Sequence, residues 1–491
     1  MKFPLRLVAL FACVTSVASV SFAEDRPNIL FIFADDQSYE TVRAFEFTDI
    51  DTPNLDKLVE RGTTFTHAYN MGSWSGAVCV ASRHMLNTGA FVWNAERLSE
   101  GLGRAGKKGA QVPKVDSGIP DFQEEGLMWS QLMSQSGYST YFTGKWHVKA
   151  DPKKIFDVAR HIRGGMPQQT PAGYDRPVQG IPDKWSPYDP AFGGFWEGGK
   201  HWSEVVGDDA CDFLNEAKAD ANPFFMYVAF NAPHDPRQAP KEFVDRYPLD
   251  RIAIPENFQT DYPDRDLIDN PASLRDERLA PVPRTKFAVQ VHRQEYYASI
   301  THMDEQIGRI LDALEKSGKA DNTYIVFTAD HGLAVGHHGF IGKQNLYEHS
   351  TRVPFMIVGP DVEAGKKMDT PIYLQDVMPT SLELAGIKKP EHVEFQSLLP
   401  VLAGESKGYE SIYGAYLKSQ RSITRDGFKL IVYPKIPKVL LYDLANDPME
   451  MNDLAGEKPT KVAGLFTALL DLQEEVNDTV DLKTVFPDLA K

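Results

Sequence analysis

Cysteine is scarce in this chain. Cys13, Cys79 and Cys211 are the only three in 491 residues. A disulfide framework is thereby excluded as the main source of stability, and a chain of this length must rely on buried apolar surface, in two domains judged by size. Long apolar runs are also missing. Leu7 to Val20 is too short for a stable membrane span, and no other segment is longer and as apolar. With Lys2 and Arg6 before it and Ser21-Phe22-Ala23 after it, that run reads as a secretory signal peptide over residues 1–23, with Glu24 as the mature start. Cys13 leaves with it, and the expectation is an exported protein, periplasmic or secreted, with no membrane span. Basic charge is in deficit, with 52 Lys and Arg against 68 Asp and Glu, a formal net charge of −16. Nucleic acid is therefore a poor partner. An anionic substrate is still compatible with a locally basic pocket.

What is present is a recurring design. Pro27-Asn28-Ile29-Leu30-Phe31-Ile32-Phe33-Ala34 is a continuous apolar run that ends in Asp35-Asp36. It reads as a buried parallel strand with acids at its carboxyl end. Tyr138 to Thr143 leads in the same way into Gly144-Lys145-Trp146-His147, Phe224 to Phe230 into Asn231-Ala232-Pro233-His234, and Tyr324 to Thr328 into Ala329-Asp330-His331-Gly332. Helical periodicity lies between them, clearest from Gln294 to Lys316. The expected fold is α/β: a large mixed, mostly parallel sheet sandwiched by helices over residues 24–400, with the ligand crevice beyond the strand ends. Past residue 400, short runs separated by turn signals predict a small antiparallel sheet plus a helix over 401–491. Arg97 to Asp116, with Arg104, Lys107, Lys108 and Lys114, and the Pro- and Asp-rich Gln259 to Arg284 read as long surface loops, functional or mobile.

The polar residues after the strands suggest one site. If Cys79 opens a helix, Arg83 lies one turn on and on the same face, and the helix N-terminus offers N–H groups to an anion. Lys145 and His147, two apart on an extended segment, point one way and Trp146 the other, as a packing anchor. Asp35, Asp36 and Asp330 place like charges at two buried strand ends, which a hard divalent ion would offset. His234, between Pro233 and Pro236, is placed for proton transfer, and Lys343 for a second anion clamp. Singly, each has a plainer role: a surface ion pair for Arg83, helix caps for the acids, solvated loop residues for His234 and Lys343, a Cys79–Cys211 disulfide for the thiol. Their joint pattern favours a site.

The spaced blocks Asn28 to Gln37, Cys79 to Gly89, Gly137 to His147, Pro223 to Pro236, Thr323 to Pro354 and Leu441 to Pro448 resemble the type I sulfatases of the alkaline phosphatase superfamily. The core of the resemblance is Cys79-Val80-Ala81-Ser82-Arg83 with Gly89 closing the motif. It implies that a formylglycine-generating maturation enzyme converts Cys79 to formylglycine (3-oxoalanine), whose hydrate attacks sulfur through one oxygen and expels sulfate through the other. It implies a Ca²⁺ held by Asp35, Asp36, Asp330 and His331 with the modified Cys79. It further implies that Arg83, Lys145, His147, His234 and Lys343 hold hydrate and sulfate, with His234 as general acid and His147 as base. Ala81 stands where the family most often has proline, which leaves the maturation route open. His331 stands where many relatives have asparagine, so it contacts either metal or sulfate.

The implied substrate is a sulfated carbohydrate, such as a marine algal polysaccharide (ulvan or carrageenan) or its oligosaccharides, with Trp74, Trp93, Arg97 and Arg104 as nearby aromatic and basic residues. The alternatives are a phosphonate monoester or phosphodiester hydrolase, a choline-sulfatase-like enzyme, and a sulfated-glycan binding protein with unconverted Cys79.

Overall fold

In the computed structural model, which describes residues 26–102, 118–164, 171–195, 198–235 and 237–490, the first apolar run is an inner strand of an eight-stranded sheet. The strands are β1 (Asn28–Asp35), β2 (Thr63–Phe65), β3 (Ser139–Lys145), β4 (Val158–Arg163), β5 (Phe224–Pro233), β6 (Thr323–Ala329), β7 (Phe355–Val358) and β8 (Lys366–Met368). Their order is β8-β2-β7-β6-β1-β5-β3-β4. β1 runs parallel to both β5 and β6, and β3 is parallel to β4 and β5, whereas β7 is antiparallel to β6 and β2. The sheet is mixed and mostly parallel, as expected. Every residue of β1 is buried, which is why it reads as an uninterrupted apolar run rather than an alternating one.

Helices cover the sheet. α1 (Pro53–Arg61), α2 (Val78–Thr88), α3 (Trp202–Ala217) and α4 (Lys286–Ser317) are the ones that bear on the site. Side-chain alternation along β1 sends Phe31 and Phe33 to one face, where Phe31 meets Trp129 at 5.2 Å and Tyr227 at 4.9 Å between ring centroids. α4 starts eight residues before the expected Gln294, because Thr285 caps it by accepting the Ala288 N–H at 3.1 Å. Its first turns carry mixed polar residues, so periodicity alone does not reveal them.

The C-terminal strands β9 (Ile412–Tyr416), β10 (Gln420–Arg425), β11 (Phe428–Tyr433) and β12 (Lys438–Asp443) form an antiparallel sheet, followed by helix α5 (Pro459–Glu475). This sheet also takes in Gly72–Ser73, parallel to β9. Gly72 sits at φ +114°, and a methyl group there would lie 1.9 Å from the Ala415 carbonyl oxygen, so only glycine permits the junction. One hydrophobic cluster contains Phe31 and Ile325 of the large sheet together with Leu430 and Phe466 of the C-terminal part.

Two loop expectations change. Arg97 lies within the helix Val92–Gly101 rather than in a loop. Arg104, Lys107, Lys108 and Lys114 fall outside the described residues, as do the 1–23 segment and Pro236. Gln259 to Arg284 is irregular but tied down: Glu277, fully buried, pairs with Arg265 and Arg284 and accepts the Gly342 N–H at 2.9 Å. No helix among the described residues is long and apolar enough to cross a membrane. Cys79 and Cys211 are both free thiols, which removes the disulfide alternative.

Candidate active site

The site grows from the carboxyl ends of four neighbouring strands, the crevice position of an open α/β sheet. Asp35 ends β1, and Asp36 follows at φ +70° with its N–H donated to Asp330 Oδ1 at 3.1 Å. Asp330 follows β6, and all three acids are fully buried. Three cations face them. Lys145, the last residue of β3, donates to Asp35 Oδ2. Lys343 donates to both Asp36 oxygens at 2.7 and 2.8 Å. Arg83 donates to Asp330 Oδ2 at 3.0 Å and to the Lys145 carbonyl at 2.7 Å, with its guanidinium over the Phe33 ring at 4.8 Å.

Cys79 lies in the first turn of α2. Its Sγ is 3.3 Å from His147 Nδ1 and 3.7 Å from Lys145 Nζ. Burial opposes a thiolate, but Lys145 and Lys343 outweigh it, with His147 and His234 adding, and the thiol is held well below its ordinary range. This point of the crevice is therefore built to stabilise an anion.

Lys145 and His147 do converge as expected, but not along an extended segment. Gly144 at φ +98° and His147 at φ +56° bend the chain, and a methyl group on Gly144 would lie 1.8 Å from the Ala229 carbonyl oxygen. Trp146 is the packing anchor, buried against Phe142 and Phe156 with its indole N–H donated to Ala150. Arg83 is brought to the site, but its hydrogen bonds go to Asp330 and to the Lys145 backbone, so it braces the acids beneath Cys79.

His234 places Nε2 3.7 Å from Asp36 Oδ2 and Nδ1 3.0 Å from Asp235 Oδ1. Burial works against its charged form, yet Asp36, with help from Asp235, raises it to about 10. His331 puts Nε2 3.1 Å from Asp36 Oδ1 and 3.6 Å from Asp330 Oδ1. The cavity over Cys79 has a volume of about 400 Å³, and His147, His234, Arg275, Asp276 and Lys343 are among its walls. Trp74 and Trp93 pack elsewhere: Trp74 against His84, and Trp93 against Arg421 while donating to Tyr413 Oη.

Sequence reasoning missed Asp235, Arg275, Asp276 and Gln344. Asp276 lies 3.8 Å from Lys343 Nζ and accepts Gln344 Nε2 at 2.7 Å, and Arg275 Nη2 lies 3.4 Å from His234 Nε2. The dense charge of Arg275-Asp276-Glu277-Arg278 inside the loop was the available signal.

The donor set fits a hard divalent cation. Asp35, Cys79, Asp330 and His331 each offer one atom within 4.8 Å of the others, and Asp35, Asp36 and His234 form an overlapping group. Asp35 Oδ1 and His331 Nε2 are buried without a hydrogen-bond partner. Burial, reinforced by the Asp35 charge, raises Asp330 to about 6 despite Arg83 and His331. Carboxylate oxygens are the most numerous donors across the two groups, the ligand type a hard divalent ion prefers.

Comparison with known proteins bears on the chemistry. A family model described as sulfatase matches residues 27–387, and one described as N-sulphoglucosamine sulphohydrolase, C-terminal, matches residues 336–476. The chain is 26% identical to an N-acetylglucosamine-6-O-sulfatase of Bacteroides thetaiotaomicron, over 97% of this chain and 90% of that one. It is 26% identical to an ulvan-active sulfatase of Formosa agariphila, over 80% and 70% respectively. A solved structure of a protein in complex with its substrate D-glucosamine-2-N,6-O-disulfate superposes with a TM-score of 0.69 at 25% identity, covering 93% of this chain and all of that one.

Proposed function

Because the chain belongs to the sulfatase family, with its alkaline-phosphatase-like fold, and is a sulfuric ester hydrolase acting on sulfated carbohydrate, we propose that Cys79 is the precursor of its nucleophile. The observation that carries this reading is the single point at the α2 N-terminus where Lys145, Lys343, His147 and His234 all favour negative charge on residue 79.

Converted to formylglycine, residue 79 would supply a hydrated aldehyde whose two oxygens serve attack on sulfur and release of sulfate. Asp35, Asp36, Asp330 and His331, with residue 79, would hold a Ca²⁺ that offsets the buried carboxylates and polarises the ester. With Asp35 and Asp36 shared with that ion, the ammoniums of Lys145 and Lys343 can turn to the sulfate oxygens. Arg83 holds Asp330 in place. His234, held as an imidazolium by Asp36 and Asp235, protonates the leaving sugar oxygen. His147, in contact with residue 79, takes the proton that accompanies sulfate release.

We propose further that the substrate is an oligosaccharide from a sulfated polysaccharide and that the 1–23 segment directs export. Two chemistries are supported by relatives: a hexosamine 6-sulfate and an algal sulfate such as that of ulvan. The test is turnover by one purified preparation of glucosamine 6-sulfate, ulvan and carrageenan oligosaccharides, choline sulfate and a phosphonate monoester. A carbohydrate sulfate is expected to exceed the last two by at least about 100-fold in kcat/KM. Preferred cleavage of the phosphonate, or binding without turnover by protein whose Cys79 is shown to be converted, would refute the reading.

A further inference from the structure

A second cluster of ligand-type side chains lies apart from the Cys79 cavity. His338 is in the loop between β6 and Lys343, His349 is in the short helix Glu348–Thr351, and Glu450 is in the turn after β12. They are 2%, 4% and 2% exposed. One donor atom of each lies within 4.8 Å of the other two. Nε2 of His338 and Nε2 of His349 are buried without a hydrogen-bond partner, and Oε1 of Glu450 has only the Lys429 ammonium at 3.2 Å. Buried polar atoms are ordinarily satisfied, so two orphaned imidazole nitrogens beside a buried carboxylate call for an occupant.

The surroundings prepare lone pairs rather than N–H donors. The Met449 carbonyl bonds the His338 ring, leaving Nε2 as the open nitrogen, the arrangement by which a backbone carbonyl orients a metal-bound imidazole. His338 is held at φ +50°, a region that residues with a side chain seldom adopt, and stacks on Tyr347 at 4.0 Å and 18°. His349 is stacked on His337 at 5.0 Å and 12°. The Glu348 N–H occupies Glu450 Oε2 at 2.7 Å, so Oε1 is the oxygen that would turn to an ion.

On the His349 side Arg293 counts against a cation, and so does Lys429. Its Nζ lies 3.2 Å from Glu450 Oε1, but also 2.7 Å from Glu348 Oε1 and 3.1 Å from the Leu346 carbonyl. It keeps two partners if Glu450 turns away.

We propose that His338, His349 and Glu450 form a second metal site, for Zn²⁺ or a similar nitrogen-favouring divalent transition ion. Two imidazoles and one carboxylate suit such an ion and are a poor set for Ca²⁺. Met449 and His337, the chain neighbours of Glu450 and His338, line a cavity of about 580 Å³. The ion would tie the segment between Asp330 and Lys343 to the C-terminal turn that carries Glu450, bracing the anion clamp from outside the active site.

The test uses the full chain, stripped with chelator, saturated with Ca²⁺ to fill the acid cluster, and titrated with Co²⁺. Binding of about one equivalent with a visible d–d band is expected, displaced by Zn²⁺ and weakened at least about 100-fold by His349→Gln. X-ray absorption of the Zn²⁺-loaded wild-type protein decides the matter even if that variant fails to fold. Nitrogen and oxygen ligation with two imidazoles supports the site. Sulfur ligation places the ion at Cys79 and overturns the proposal. No uptake, or uptake that His349→Gln leaves unchanged, also overturns it, the first case meaning that water satisfies the imidazoles.

Discussion

Residue 79 shows how far a side chain's chemistry is set by its neighbours. A buried thiol ordinarily resists ionisation. Here two lysines and two histidines reverse that preference, and they come from β3, from the segments after β5 and β6, and from the turn at Trp146. Replacing Cys79 by alanine, or by a serine shown to be unconverted, is expected to lower sulfate release by at least about 1,000-fold with an unchanged circular dichroism spectrum. Lys343→Met should act differently. It leaves the Asp36 and Asp276 carboxylates buried without their shared cation, so activity should fall together with a loss of about 3 kcal/mol in denaturant unfolding. Unchanged stability in that variant would mean that another cation already serves the two acids.

At the scale of elements, one buried residue gathers several of the ties of the loop from Gln259 to Arg284. Glu277 receives Arg265, Arg284 and the backbone of Ile341 and Gly342, and so joins the loop to the segment that presents Lys343. Glu277→Gln should lower stability by about 3 kcal/mol and reduce kcat, because Arg275, Asp276 and Lys343 lose their common support. A kcat equal to wild type in the folded variant would show that the loop is positioned without it.

A second element-level prediction concerns pH. Asp304 of α4 accepts the Leu55 N–H at 2.7 Å and the Asn54 N–H at 3.0 Å, tying down the start of α1. Burial nevertheless raises it from its ordinary 3.8 to about 7, the backbone hydrogen bonds opposing the rise. An acid raised on folding contributes stability that is complete below pH 3.8 and is lost as pH climbs through about 7. Asp304→Asn should therefore flatten the fall in Tm between pH 4 and 7, and an unaltered slope would exclude Asp304 as its source.

At the scale of the whole molecule, the C-terminal part is built into the catalytic one. Gly72–Ser73 pairs with β9, and one apolar cluster spans both. Arg421, fully buried over Trp93, makes a two-pronged pair with Asp478 at 2.6 and 2.8 Å. A chain cut after residue 400 leaves that cluster open and should not give a cooperative thermal transition. Soluble expression of the truncated chain with a sharp Tm would show that the catalytic part folds alone.

Local order in the chain was enough for the four adjoining strands β1, β3, β5 and β6, though not for β2, β4, β7 and β8, for the helix that carries Cys79, and for the residues placed just after strand ends, because a buried parallel strand must be apolar throughout and its polar successors stand at the crevice. The reaction class came from the resemblance of the Cys79 to Gly89 motif and its companion blocks to a known family. What spacing cannot carry is contact between segments far apart in the chain. Arg83 turned out to brace Asp330, 247 residues away, and the bend that aims Lys145 and His147 at one sulfur depends on how closely β3 and β5 approach. Asp235, Arg275, Asp276 and Gln344, and the meeting of His338, His349 and Glu450, are decided only when the folded chain removes water and leaves each polar atom to find whichever partner the packing brings within reach.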